Sequence, residues 1–426
     1  MSKKSLRNST IYQVFVRNHS KEGTLQALIA DLDRIQDLGI DILYLLPLHP
    51  IGEVARKGKA GSPYAIKDYR AIHPDLGTME DFESLIKEAH RRGLKVMIDI
   101  VFNHTSRDSV LLKEHPEWFF LENGEPKNRV GDWSDIADLN FDVPELWDYL
   151  IETLLFYVKK GVDGFRCDVA PIIPLEFWKK AREEVAKINP DVIWLSESIE
   201  PEFIKSMRAQ GYQAYSDAEM YQAFDILYDY DVYPELKKYL EMRGTFRQYV
   251  EAVKRQEYLY PVDYLKAHFL DNHDQERIAS LVKDQYQLHN LIAWSFFQPG
   301  VGFIYAGGEN ALTHKPNLFE HDPLDWEEHN PETYLLVQRL VQLKKEPIFL
   351  EKTSFDIEMY FPKDVLLATL SSKSEKLLGI FNFSGGKAKV ILPINQIEVI
   401  DQISGKVYPV KKKVISITEP VIIKIA

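Results

Sequence analysis

Eight short apolar runs, each followed by a stretch of helical or irregular chain, constrain this protein more than any other feature. They fall at 11–16, 40–46, 95–101, 162–168, 192–196, 212–216, 265–270 and 301–305. Between the first two, Leu25, Leu28, Ile29, Leu32 and Ile35 keep a 3.6-residue period and Gly39 follows as a stop. Phe82, Leu85, Ile86 and Ala89 repeat the pattern, opened by a capping box at Thr78 and Asp81 and closed by Gly93. Strands that are apolar along their whole length suit a parallel sheet covered on both faces. Eight such units predict an α/β chain folded as a closed (β/α)8 TIM barrel; an open doubly wound sheet is the other architecture the alternation allows.

Two stretches break the alternation. Residues 105–142 separate the third strand from its helix and are rich in Trp, Asp, Asn and Gly. A connection that long is usually a functional excursion, so a small inserted loop domain is expected there, with the barrel occupying 1–104 and 143–347. From 348 to 426 the pattern turns to short alternating runs such as 377–383, 387–392 and 421–425. That predicts a C-terminal all-β, sandwich-like domain, in which Lys411, Lys412 and Lys413 form a solvated hairpin.

A chain of 426 residues, 45% hydrophobic, can bury a large core. Its net charge of -12 argues against nucleic acid as a partner, because binding there rests on clustered Lys and Arg. Cys167 is the one cysteine, so no intramolecular disulfide can form. No run approaches the ~18 apolar residues of a membrane span. The first ten residues hold no stretch of signal-peptide type, and a cytoplasmic location without membrane attachment is expected.

Chemistry concentrates in four segments: MIDIVFNHTS (97–106), GFRCDVAP (164–171), LSESIE (195–200) and FLDNHDQER (269–277). Three carry a carboxylate at or just past a strand end: Asp168, Glu197 and Asp274. Strand alternation puts Arg166 and Asp168 on one face and Cys167 on the other. The guanidinium is expected to lower the Asp168 pKa and hold the group ready as a nucleophile. Glu197 follows one helix and one strand later, so the two carboxyls come from adjacent strand ends, where a glycosidic bond could be cleaved between them with retention.

The four segments, in this order, resemble the α-amylase family of glycoside hydrolases over residues 10 to 330. The resemblance implies hydrolysis of α-1,4 links in maltooligosaccharides or in glycogen- and starch-like glucans. It makes Asp168 the nucleophile, Glu197 the acid/base and Asp274 the carboxylate that holds sugar hydroxyls in the transition state. By the same resemblance His104 and His273 donate to those hydroxyls and Arg166 binds beside them. Tyr64, in GSPYAIKDYRAIHPDLGT, stacks on the sugar being cleaved. The loop domain would protrude after the third strand, carrying Asp138-Leu139-Asn140, and IYAGGEN (304–310) would shape the rim. The chemistry requires no cofactor and no catalytic metal. A structural calcium is compatible with the family, with Asn103 and Asp138 as candidate ligands, although two oxygens fall short of the six to eight that calcium takes. Pro171 and Ile172 stand where many starch-degrading members have a Lys-His pair, which leaves the leaving-side subsites and the preferred chain length open. A glucanotransferase of the same family and a non-catalytic binding relative are the alternatives.

Overall fold

The computed structural model describes residues 3–131, 133–352, 354–360 and 364–425. Its centre is a closed barrel of parallel strands: β1 (Thr10–Val14), β2 (Ile42–Leu45), β3 (Lys95–Ile100), β4 (Gly164–Cys167), β5 (Ile193–Ser196), β6 (Ile226–Tyr228), β7 (Lys266–His268) and β8 (Val301–Tyr305). β8 closes on β1, with Thr10 beside Gly302 and Gln13 beside Tyr305, so the barrel has no free edge. A doubly wound open sheet is thereby excluded.

The uniformly apolar strands explain this arrangement. Alternate side chains, among them Ile11, Tyr44, Met97, Leu195, Tyr228 and Phe303, fill the barrel interior. Their neighbours Tyr12, Leu43, Ile98, Phe165 and Trp194 face the helices. The main outer helices are α1 (Leu25–Asp37), α2 (Met79–Arg91), α3 (Pro144–Lys159), α4 (Leu175–Ala186), α5 (Pro201–Ala209), α6 (Phe246–Leu259), α7 (Gln285–Phe297) and α8 (Pro331–Lys344). The expected capping box is formed: the Thr78 hydroxyl accepts from the Asp81 amide at 3.2 Å, and Asp81 accepts from the Thr78 amide at 2.8 Å. Gly39 and Gly93 end α1 and α2 at φ +84° and +78°, left-handed angles that glycine adopts without strain.

One strand lies elsewhere than expected. Residues 212–216 are not a strand; the sixth barrel strand is β6, ten residues later. Tyr212 and Ala214 instead pack on Ile172, Phe203 and Met207, while the Tyr215 amide donates to the Pro171 carbonyl at 2.8 Å. β6 is only three residues long and is bracketed by Asp225 and Asp229, so its apolar signal is short and interrupted.

After β3 the chain makes its excursion. Strand His104–Ser106 pairs with Ile136–Asp138, and the Leu139 amide returns to the Asn103 carbonyl at 3.0 Å. The two ends of the excursion are thus held together at the end of β3. The C-terminal region holds a four-stranded antiparallel sheet, with Ser354–Tyr360, Val365–Ser371, Lys376–Asn382 and Val421–Ile425 in that spatial order. Lys411, Lys412 and Lys413 form an exposed turn there. The sheet seats on α7, where Trp294 meets Phe355 and Phe381 with ring centroids at 6.0 and 5.4 Å. No helix among the described residues is long and apolar enough to cross a membrane.

Candidate active site

Chain segments leaving the C-terminal ends of the strands surround a cleft of about 430 Å³. Tyr64 reaches it from the segment after β2, His104 from after β3, Asp168 from β4, Glu197 from β5, and His273 and Asp274 from after β7. This is the face on which barrel sites are built. The residues singled out in the sequence therefore converge.

Arg166 lies beneath them, 1% exposed. Its Nη1 donates to Asp99 at 2.9 and 3.1 Å and to Asp168 Oδ1 at 2.8 Å. Its Nη2 stands 2.7 Å from Glu197 Oε1. One guanidinium thus bridges three carboxylates, Asp99 and Asp168 on one terminal nitrogen and Glu197 on the other. Burial is the largest influence on Asp168 and raises its pKa well above the usual carboxylate range; the Glu197 charge adds to this, and Arg166 only partly opposes it. The expected lowering by Arg166 is therefore overturned, because desolvation outweighs the cation. Burial raises Glu197 as well, against the pull of Arg166. Two carboxyls so placed titrate as a unit and favour a state with one proton between them.

The Tyr64 side of the cleft is equally interlocked. The Tyr64 hydroxyl donates to Asp99 Oδ2 at 3.0 Å and lies 2.6 Å from His273 Nε2. Its ring stacks on the His273 ring, with centroids at 5.4 Å. Gln13 reaches His273 Nδ1 at 3.0 Å, and Asp274 Oδ2 stands 3.2 Å from Nε2. Burial drives His273 down to about 3, so the ring is neutral over the physiological range. His104 is likewise lowered by burial, to about 4. The Asp274 side chain is 40% exposed to the cleft, and its carboxyl is open to a ligand.

Several residues of the site escaped the sequence reading. Asp99 accepts from Arg166, Tyr44 and Tyr64 and ties the floor of the cleft together. Its signal was present: an acidic residue inside an otherwise apolar run needs buried partners. Val169, next to Asp168, sits at φ +36°, and its amide donates to Glu197 Oε2 at 2.8 Å. A β-branched residue in that region is strained by about 1–3 kcal/mol, and here the strain places a donor on the second carboxyl. Tyr230, just past β6, and Trp133 and Phe203 also line the cleft. Cys167, by contrast, faces outward among Phe165, Trp178 and Trp194 as expected, and burial pushes its thiol up. Glu309 of the IYAGGEN run is not at the rim but fully buried, bonded to Tyr12 and Arg34 at 2.7 and 2.6 Å.

The two candidate calcium ligands are both engaged by a protein cation. Arg129 Nη2 donates to Asn103 Oδ1 at 2.6 Å, and its Nε to Asp138 Oδ2 at 2.8 Å. No group of three or more acidic, His or Cys ligands suited to a metal exists among the described residues. The residues present do not fit a calcium site of six to eight oxygens.

The α-amylase catalytic-domain family model matches residues 5–134 and 118–338. The crystal structure of an α-amylase from Lactobacillus plantarum is 42% identical, covers 99% of this chain and 100% of its own, and superposes with a TM-score of 0.96. A noncanonic maltogenic α-amylase from Thermotoga neapolitana is 32% identical over 99% of both chains, with a TM-score of 0.88. An α-1,4-glucan:maltose-1-phosphate maltosyltransferase from Cereibacter sphaeroides is 38% identical over 240 residues, which are 49% of this chain and 39% of that relative. The match to this curated relative thus spans well under half of its length. With the strand-end carboxylates, the Arg166 bridge and the barrel already in place, these matches assign the chain to the α-amylase family of α-glucan-active enzymes.

Proposed function

We propose that the enzyme hydrolyses α-1,4-glucosidic bonds of maltooligosaccharides and related glucans by double displacement with retention. The observation that carries this reading is the Arg166 bridge, which binds Asp168 through one terminal nitrogen and Glu197 through the other. An inverting pair, about 6.5–9.5 Å apart, needs room for a water between its carboxyls; a retaining pair does not. Asp168 attacks the anomeric carbon while Glu197 delivers its proton to the departing glycosidic oxygen. Glu197 then takes a proton from water, whose oxygen displaces Asp168 and restores the α configuration. Asp274, His273 and His104 hold hydroxyls of the sugar under attack, and Tyr64 packs against its ring. Turnover needs Asp168 ionised and Glu197 protonated, and the Glu197 charge raises Asp168, so that ionising both at once is disfavoured.

Transfer to a second sugar is the other reading, and one feature favours it. On the Glu197 side the cleft is walled by Val169, Ile199 and Phe203, and Ile172 packs against Val169. An apolar wall suits the face of an acceptor sugar better than it suits water. Product analysis on maltose through maltoheptaose and on glycogen separates the two readings, because transfer yields chains longer than the substrate. Release of the β anomer in the first turnovers would refute retention.

A further inference from the structure

The junction between the excursion and β3 is built around Arg129. Its backbone amide and Nε both donate to Asp138 Oδ2, at 2.9 and 2.8 Å, and its Nη2 donates to Asn103 Oδ1 at 2.6 Å. The side chain is held between the rings of Phe120 and Tyr212, at 5.2 and 5.9 Å from their centroids, and is only 11% exposed. One cation therefore joins a residue at the end of β3, an acid of the returning strand and the aromatic surface of the excursion.

We propose that the Arg129 guanidinium is the resident cation of this junction. It holds the excursion against the barrel by directed hydrogen bonds, so that the fold and the sugar site stand without a bound calcium ion. Its second task follows from hydrogen-bond chemistry. A guanidinium only donates, so Asn103 must turn its carbonyl oxygen toward Arg129. The Asn103 amide nitrogen is then aimed at His104 Nδ1, 3.0 Å away. Nδ1 must accept, and the imidazole proton is fixed on Nε2. His104 lines the cleft, so Arg129 sets which nitrogen of that ring can donate into it. Arg129 is a positioning residue: it acts on the site through Asn103.

This inference rests on the functional reading only for the purpose of His104; the test therefore combines readouts with and without substrate. The wild-type protein is exhaustively chelated, then returned to millimolar calcium, with melting temperature and activity followed. Neither should change, whereas a calcium-dependent rise of more than about 2 °C, or activity restored by calcium alone, would overturn the proposal. The imidazole nitrogen shifts of His104 should show a protonated Nε2 in the wild type and a mixture of tautomers in Arg129→Met. The same variant should raise KM on maltohexaose about tenfold, the usual cost of losing an outer partner of a binding group. Arg129→Lys should recover part of the loss. An Arg129→Met protein with unchanged His104 shifts and unchanged KM would refute the positioning role. Should that variant fail to fold, Arg129→Gln, which is neutral and can accept as well as donate, carries the same NMR comparison. The melting-temperature and NMR results need no substrate, so they stand or fall apart from the glucan reading.

Discussion

Replacing Arg166 by lysine keeps the charge and removes the fork. An ammonium on a flexible stem cannot serve Asp99, Asp168 and Glu197 together, because the guanidinium does so through two separate nitrogens. A lysine nitrogen reaching the Nη1 position keeps Asp99 and Asp168 and forfeits the 2.7 Å contact to Glu197. A hydrogen bond between charged groups is worth about 1.5–3 kcal/mol, so kcat should fall roughly 10- to 100-fold. The same energy must reappear in the titration of Glu197. A carboxyl deprived of its cation holds its proton more tightly, by about one to two pKa units at 1.36 kcal/mol per unit. Glu197 enters the reaction as the protonated acid, so the alkaline limb of kcat/KM should move to higher pH even as the rate falls. That limb reports the free enzyme and can be measured on maltohexaose over the range where both proteins remain folded. A lower kcat with the alkaline limb fixed, or moved to lower pH, would show that Arg166 does not govern the protonation of Glu197.

Asp168→Asn and Glu197→Gln should each reduce turnover about a thousandfold or more with the circular dichroism spectrum unchanged; more than a few per cent of activity in Asp168→Asn would remove the nucleophile assignment. His49, His104 and His273 are buried and lowered to about 4, about 4 and about 3, so below an unfolded value of about 6.5 only the unfolded chain takes up protons. Their contribution is intact above that pH and is lost as pH falls toward 4, at a cost of about 2 kcal/mol each by pH 5. His49, bonded to the Ala71 carbonyl, lies outside the cleft. Urea melts should therefore show the difference between wild type and His49→Gln shifting by about 2 kcal/mol in favour of the variant from pH 8 to pH 5, and a constant difference refutes the linkage. Cys167→Ala should lower stability by only about 1 kcal/mol and leave kcat intact, and the native thiol should resist modification; rapid inactivation by a thiol reagent, prevented by substrate, would contradict its outward packing.

The barrel was legible because its strands are covered on both faces and so are largely apolar along their length, as β2, β5 and β8 show. β6 was not, for the same physical reason in reverse. Its three residues run between Asp225, paired with Arg182, and Asp229, hydrogen-bonded to His268, so buried carboxyls with their partners interrupt the apolar run. Displacing that strand to 212–216 also hid Tyr230, which matters only by standing two residues beyond the end of β6. The cleft carboxylates Asp168 and Glu197 were legible because each directly follows a strand end in a recognisable segment. Their protonation was not, since a sequence displays Arg166 beside Asp168 but not the burial that outweighs it.

Asp99 and Arg129 show where reading along a chain stops. Asp99 lay within a quoted segment, yet its partners Tyr44, Tyr64 and Arg166 are separated from it by 55, 35 and 67 positions. Asn103 and Asp138 were named together only as candidate ligands of a possible structural calcium, two oxygens that fall short of such a site, and the arginine that joins them in the fold was not considered. An arginine in an irregular stretch carries no periodicity and no motif, and its value lies in the acceptors that folding brings to it. The family's pattern identifies oxygens that need a cation; it does not specify which cation supplies the charge. Where a chain can place a guanidinium on those oxygens, the electrostatic requirement is met from within, and the fixed directions of its donors orient the neighbouring amide as well.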